Sequence, residues 1–199
     1  MRPIGVLSLQ GDVREHVATL ENLGVAARRI RRTSDLEGIE GLIIPGGEST
    51  AIGHLLVTSG LREPLATLIG DGLPVFGTCA GLILLAERVL DGRDDQWSFK
   101  ALDVAVRRNG YGRQIASFEA PIEIGERGTV PGVFIRAPRI ESFGPGVNVL
   151  ATHDHGDGTG AHPVLVRQGA AWGCSFHPEL TSDVLVHGLF LDALREALR

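Results

Sequence analysis

The chain is 199 residues long, 43% of them hydrophobic and 22% charged, with a formal net charge of −5. That size suits one domain whose core buries roughly 70% of the unfolded surface, and the acidic balance argues against a general nucleic-acid binder. Two cysteines, Cys79 and Cys174, cannot frame a disulfide-stapled secreted scaffold.

The chain enters an apolar strand, Ile4 to Leu9, without a run of signal-peptide length. No run approaches the roughly 18 apolar residues of a membrane span, so we expect a cytoplasmic protein that keeps Cys79 as a thiol. After Gln10-Gly11, Asp12 stands three residues before Glu15, the spacing of a capping box. It predicts a helix through about Leu23, closed by Gly24. Ala26 to Ile30 and Gly41 to Pro45 read as the next strands. The cluster Arg28, Arg29, Arg31 and Arg32 reads as the solvated edge of the first of these, with a docking surface as the alternative. Helices are expected from about Ser49 and over Leu61 to Ile69. Pro74 to Gly77 is a short buried strand, and the apolar run Leu82 to Ala86 continues a helix after it.

Alternating strands and helices predict an α/β fold: a parallel sheet covered on both faces, with its ligand site at the carboxyl ends of the strands. The second half changes texture. Short strands are expected over Ala101 to Val106, Glu119 to Ile124, Val133 to Ala137, Val147 to Thr152, Val164 to Arg167 and Ala171 to Phe176. A last helix is expected over Ser182 to Leu198, and Asp91 to Gln96 as a charged turn.

Three segments carry chemistry. Gly77-Thr78-Cys79-Ala80-Gly81 turns a strand into a helix, the cysteine form of a nucleophile elbow. A helix starting there aims free N–H groups at the sulfur. A small buried cysteine in a glycine-rich turn is the competing reading. Ser175-Phe176-His177-Pro178-Glu179 supplies a base and an orienting carboxylate. Pro178 keeps His177 extended, and side chains two apart in an extended chain project the same way. A surface His-Pro-Glu turn is the alternative. Ile43-Ile44-Pro45-Gly46-Gly47-Glu48-Ser49-Thr50 runs a strand through two glycines into a helix, as an oxyanion hole requires. The N–H groups of Gly47 and Ala80 are its expected donors. A phosphate-binding loop is the weaker competing reading, because no Gly-Lys-Ser/Thr follows and the spacing differs from a P-loop's.

Pro-Gly-Gly-Glu-Ser, Gly-Thr-Cys-Ala-Gly and Phe-His-Pro-Glu, in this order, resemble the class I (triad) glutamine amidotransferases. Residues 9–16, 107–114, 117–119 and 133–138 narrow the resemblance to the glutaminase subunits of pyridoxal 5′-phosphate synthase, which builds its product from ribose 5-phosphate and glyceraldehyde 3-phosphate. The resemblance implies a single three-layer domain over residues 1–199, with a mostly parallel central sheet and a small antiparallel extension. It implies a triad of Cys79, His177 and Glu179, and glutamine bound by Gly47, Glu48, Ser49, Arg108, Ile135 and Arg136. Arg108 and Arg136 are cations suited to the carboxylate of a free amino acid. It further implies a barrel-shaped synthase partner that receives the ammonia and is needed for activity, an assembly of twelve copies of each subunit, and no metal or prosthetic group.

Gly110 departs from the Ser or other small residue usual in such relatives. Thr152 to His162 is longer than the usual turn, and reads as a flexible polar loop rather than a metal site. Glu15-His16 is expected at a surface or interface, and Cys174 in the core. His54 and His187 lie on expected helices with no legible partner. A non-catalytic scaffold and a peptidase-like hydrolase remain as competing functions.

Overall fold

The computed structural model describes residues 2–93, 96–110, 117–156 and 158–197. Tyr111 to Gln114 of the motif above, and Asp94, Asp95, Asp157 and Leu198, lie outside them. The elements in chain order are β1 (Ile4–Leu7), α1 (Val13–Asn22), β2 (Ala27–Ile30), β3 (Gly41–Ile44), α2 (Ser49–Thr58), α3 (Arg62–Gly70), β4 (Val75–Thr78), α4 (Ala80–Leu85), β5 (Ala86–Val89), β6 (Leu102–Arg107), β7 (Ser117–Glu123), β8 (Thr129–Ile135), β9 (Arg139–Phe143), β10 (Asn148–Asp154), β11 (Ala161–Gln168), β12 (Ala171–Cys174) and α5 (Leu185–Ala197).

Among the described residues the largest sheet has seven strands, in the order β10-β11-β12-β4-β3-β1-β2. The run from β12 to β2 is parallel, and β11 and β10 extend it antiparallel. Strands β1, β3, β4 and β12 are buried along their length, as strands covered on both faces must be. Their side chains alternate between two cores. Leu7, Leu42, Ile44 and Val75 pack with α2, α3 and α4. Ile4, Val6, Ile43 and Phe76 pack on the other face with Leu20 of α1 and Phe190 of α5. Strand β2 is an edge, as its arginines suggested, and Arg28 donates to the Asp35 and Glu37 carbonyls.

Three local expectations give way. No side-chain cap forms at Asp12, whose carboxylate is drawn to His177 instead. The helix after Cys79 stops at Leu85, because Ala86 turns extended (φ −65°, ψ 146°) and pairs with Leu102. Strands β5 and β9 were not anticipated. Both pair with β6 in a separate three-stranded sheet, and no turn residue marks where β5 begins. The β10–β11 ladder also reaches Asp154 opposite Ala161, so most of the expected Thr152–His162 loop's ends are paired backbone.

Strands β7 and β8 form a hairpin whose last residue, Ile135, leads into Arg136. Phe134 anchors it to the main sheet. Its ring is buried, stacked on Phe118 at 4.5 Å between centroids and tilted against Phe176 at 5.7 Å. Phe176 lies one residue before His177, and the His177 N–H donates to the Val133 carbonyl at 2.8 Å. Truncating Phe134 to Ala leaves a cavity between hairpin and sheet and should cost about 3–5 kcal/mol. Chemical denaturation with a probe on the hairpin checks this, and a loss below about 1 kcal/mol would show that the anchor lies elsewhere.

Candidate active site

Strands β4 and β12 are parallel neighbours, with Thr78 opposite Cys174. The next residues of both strands therefore emerge side by side at the carboxyl end of the sheet. The Cys79 N–H donates to the Cys174 carbonyl at 2.9 Å, stitching the two exits together. Cys79 itself has φ 47° and ψ −102°, a conformation that a residue with a side chain adopts only under constraint. Glycines on either side permit it: a Cβ on Gly77 would lie 2.4 Å from the Gly81 carbonyl carbon, and one on Gly81 would lie 2.0 Å from the Ile44 oxygen. The elbow thus closes against β3 as well as against its own helix.

His177 and Glu179 lie at a short 3-10 turn, Pro178–Leu180, with His177 just before it. Their contact does not come from the extended-chain alternation expected above. The proline starts a tight turn, and the turn folds the carboxylate back onto the ring. His177 Nδ1 lies 2.9 Å from Glu179 Oε1 and 3.3 Å from Asp12 Oδ2. Two carboxylates on one ring nitrogen require that Nδ1 carry its hydrogen. Burial by itself would pull the His177 pKa down, but the ring's hydrogen bonds to Asp12, Cys79 and Glu179 and the charge of the sulfur push it up to about 12. Burial would likewise raise the Glu179 carboxyl, yet His16 and then His177 hold it well below its usual range. The opposite ring nitrogen, Nε2, is buried and has no hydrogen-bond partner among the described residues. The Cys79 thiol donates to the Ile135 carbonyl at 3.9 Å, and its sulfur is close enough to His177 to raise the pKa of the ring.

These groups open on a cleft of about 310 Å³ lined by Gly47, Glu48, Ser49, Cys79, Arg108, Ile135, Arg136 and His177, with Gln10 and Asp12 beside them. Ala80 follows Cys79 but is not part of the lining, and Glu179 stands behind His177. Glu48 caps α2 by accepting the Thr50 and Ala51 N–H groups, and pairs with Arg108 at 3.2 Å. Burial raises its pKa, but these N–H groups and the Arg108 cation hold it below normal. The Ser49 hydroxyl is buried with no partner among the described residues. Gln10 accepts the Glu48 N–H at 2.8 Å and lies where a Cβ on Gly47 would stand. Gly110 abuts Arg139 so closely that a Cβ would meet Arg139 Cβ at 2.1 Å, so a larger residue there is a bigger change than it reads in sequence. A larger cavity, about 670 Å³, lies between α5 and the tip of the β7–β8 hairpin. It holds none of these side chains, and chemistry rather than volume marks the site.

The model of the SNO glutamine amidotransferase family matches residues 6–196. The chain belongs to this family. A protein of Corynebacterium jeikeium (strain K411) named pyridoxal 5′-phosphate synthase subunit PdxT is 54% identical over 194 residues, covering 97% of each chain. The protein of the same name from Clavibacter sepedonicus is 52% identical, covering 98% of this chain and 92% of that one. A solved structure described as a glutamine amidotransferase superposes with a TM-score of 0.88 at 45% identity, covering 96% of this chain and 98% of that one.

In this glutamine amidotransferase the sequence reading missed Asp12, Thr78, His16 and His187. His16 was expected at a surface or interface and is instead completely buried, as is His187, which lies 2.9 Å from it. The Gly-Asp-Val-Arg-Glu-His segment contained the signal, since Asp12 and His16 are four apart and share a helix face, but nothing in it marked that face as the one beneath the sheet's end. Cys174 is buried, as expected, and burial pushes its thiol pKa up. His153 and His155 pack their rings against Phe118 and Phe134.

The Asp12 contact has a pH signature. Because the folded His177 pKa lies above the ordinary 6.5, its stabilising share is complete below pH 6.5 and is lost as pH rises toward 12. Asp12→Asn should lower the ring's midpoint by about a unit or more and move that loss to lower pH. An NMR titration of the His177 Cε1 proton reads it, and an unchanged midpoint would show that Glu179 alone sets the ring.

Proposed function

We propose that this chain hydrolyses L-glutamine to L-glutamate and ammonia through Cys79, His177 and Glu179, and delivers the ammonia to a synthase subunit that makes pyridoxal 5′-phosphate. The observation that carries this reading is the strained elbow at Cys79 set beside a buried His177–Glu179 pair in one cleft. The names of the relatives, all subunits of pyridoxal 5′-phosphate synthase, support the destination of the ammonia.

Sulfur, having passed its proton to His177 Nε2, attacks the side-chain amide carbon. The carbonyl π pair moves to oxygen, where the N–H groups of Gly47 and Ala80 are the proposed oxyanion donors. His177 then gives its proton to the departing nitrogen as the C–N bond breaks, releasing ammonia and leaving a thioester. Water, deprotonated by the same ring, attacks the thioester, and the C–S bond breaks to give glutamate and the free thiol. Glu179 holds the ring tautomer and balances the imidazolium throughout. Gly47, Glu48, Ser49, Ile135 and the cations Arg108 and Arg136 bind the substrate's amino-acid end, which distinguishes a free amino acid from a peptide.

Activity is read as requiring the synthase partner, docked beside Ile135 and Arg136 at the mouth of the cleft. That partner is read as a barrel that makes the product from ribose 5-phosphate and glyceraldehyde 3-phosphate, in a complex of twelve plus twelve subunits. The whole of residues 1–199 acts as one glutaminase domain in the cytoplasm, with no metal and no prosthetic group in the chemistry. Among the described residues no helix is long and apolar enough to cross a membrane. Asp12, His177 and Glu179 do bring ligand atoms within 4.8 Å of one another, but a ring nitrogen that donates to both carboxylates offers no lone pair to a cation.

Cys79→Ala, assayed for ammonia release with the synthase subunit present, should lose more than about 10³-fold in kcat. Full turnover in that variant would end the proposal. Arg108→Ala should raise the KM for glutamine about 10- to 100-fold, the loss of one charge-assisted contact. An unchanged KM would remove Arg108 from the substrate site.

A further inference from the structure

The Cys–His–Glu chemistry leaves two buried titratable side chains unused. His16 on α1 and His187 on α5 are both completely buried. They meet on the face of the sheet where Phe76 packs edge-on to His187, 5.7 Å between centroids. Two imidazoles in an apolar core cost desolvation that a leucine pair would avoid, so their hydrogen bonds must serve something. His16 Nδ1 lies 2.9 Å from His187 Nε2, and His16 Nε2 lies 3.1 Å from Thr78 Oγ1 and 3.5 Å from Glu179 Oε1. The chain of contacts thus leads to the carboxylate behind the proposed base.

The direction of each bond follows from counting hydrogens. Thr78 Oγ1 has one hydrogen and two lone pairs. The Gly46 N–H takes one lone pair at 3.0 Å, and the hydroxyl faces Glu179 Oε1 at 3.5 Å. The second lone pair is then left for His16, which must donate from Nε2. The reverse arrangement, with Thr78 donating to His16, would leave the buried carboxylate facing bare lone pairs on both neighbours. With Nε2–H fixed and the ring neutral, His16 Nδ1 accepts from His187 Nε2–H. His187 Nδ1 is then a bare acceptor, and it is buried with no partner among the described residues, a smaller cost than a buried N–H left unpaired. Burial, with the neighbouring His16 next, pulls the His187 pKa down to about 3, which agrees with a neutral ring at that end.

We propose that His16, braced by His187, is a positioning residue of the hydrolysis site: its Nε2–H, shared between Thr78 and Glu179, holds the Glu179 carboxylate in register with His177. The assignment rests on the glutaminase reading and extends it inward by two residues. The Glu179 side chain is fully buried, so the groups packed against it set its orientation, and its other oxygen, Oε2, has no partner among the described residues. His177 and the Thr78–His16 pair are what aim Oε1. The charged and titratable groups around His16 are Glu179 and His187 in contact, then His177 with Asp12 and Cys79, and the Cys174 thiol, which senses Glu179.

The test compares His16→Leu, which removes the donor, with His16→Gln, whose amide can place an N–H near the position of Nε2. Each is assayed in the complex with the synthase subunit, and each is examined by NMR without substrate for the low-field His177 Nδ1 proton. His16→Leu should lower kcat about 10- to 100-fold, leave the KM for glutamine within about twofold, and move the kcat/KM pH profile; His16→Gln should recover most of kcat. In His16→Leu the Nδ1 proton signal should shift or broaden away. Wild-type kcat and pH profile in His16→Leu would overturn the proposal. So would equal losses in both variants that track only their melting temperatures, since that is what a purely structural histidine gives. Should His16→Leu fail to fold, His187→Leu decides: a lower kcat at constant KM supports the relay, and unchanged kinetics overturn it. If the wild-type complex releases no ammonia from glutamine, the glutaminase reading fails on its own, and the Nδ1 proton signal still reports whether His16 sets the His177–Glu179 pair.

Discussion

Strands β4 and β12 lie side by side in the sheet although about a hundred residues of chain separate them, and Thr78 stands opposite Cys174. That pairing decides the rest of the site. A parallel pair sends both chains out at one end, so the residue after β4 and the loop after β12 share a rim. Cys79 takes the first exit in a strained turn, and His177 takes the second, held by its N–H to the β8 carbonyl of Val133. A slip of one residue in this register would turn Thr78 and Cys174 toward opposite cores and part the sulfur from the ring.

Around that rim the fold assembles charge that it would otherwise have to avoid. Glu179 is a buried carboxylate, which survives only if donors and positive charge surround it. They come from three elements: His177 from the loop after β12, Thr78 from the end of β4, and His16 from α1. Asp12, at the start of α1, adds a second carboxylate to His177 and gives up its helix cap to do so. A cap is worth about 1 kcal/mol, and an ionic hydrogen bond to a buried imidazolium is worth more. The local preference loses to the tertiary one for that reason.

This competition also explains what could be read from the sequence. The parallel strands, the elbow and the histidine loop were legible because each announces itself locally: apolar runs of four or five residues, Gly-x-Cys-x-Gly, and a histidine before proline. The neighbourhood of those segments followed from the rule that sites in parallel sheets lie at the strand ends. The extended-chain route to the His177–Glu179 contact was wrong, because Pro178 begins a turn as readily as it prolongs a strand. Strand β5 was illegible because Ala86 to Val89 carries no boundary residue, and only its pairing to β6 makes it a strand. His16 and His187 were illegible for a different reason. Each is an ordinary polar residue on an amphipathic helix, and they are 171 positions apart; only the packing of α1 and α5 against one face of the sheet shows that they meet.

The buried pair also bears on how the enzyme's order is distributed. The cleft side is built from loops and the end of a hairpin, where the Cys79 thiol donates to the Ile135 carbonyl. The side behind Glu179 is built from two helices and a central strand with nearly every hydrogen bond direction determined. Any rearrangement of the site therefore falls on the cleft side. Ile135 and Arg136, the latter at φ 44°, belong to the hairpin end, whereas Glu179 cannot move without breaking contacts to Thr78 and His16. A carboxylate held this firmly keeps the base in one orientation whatever occupies the cleft.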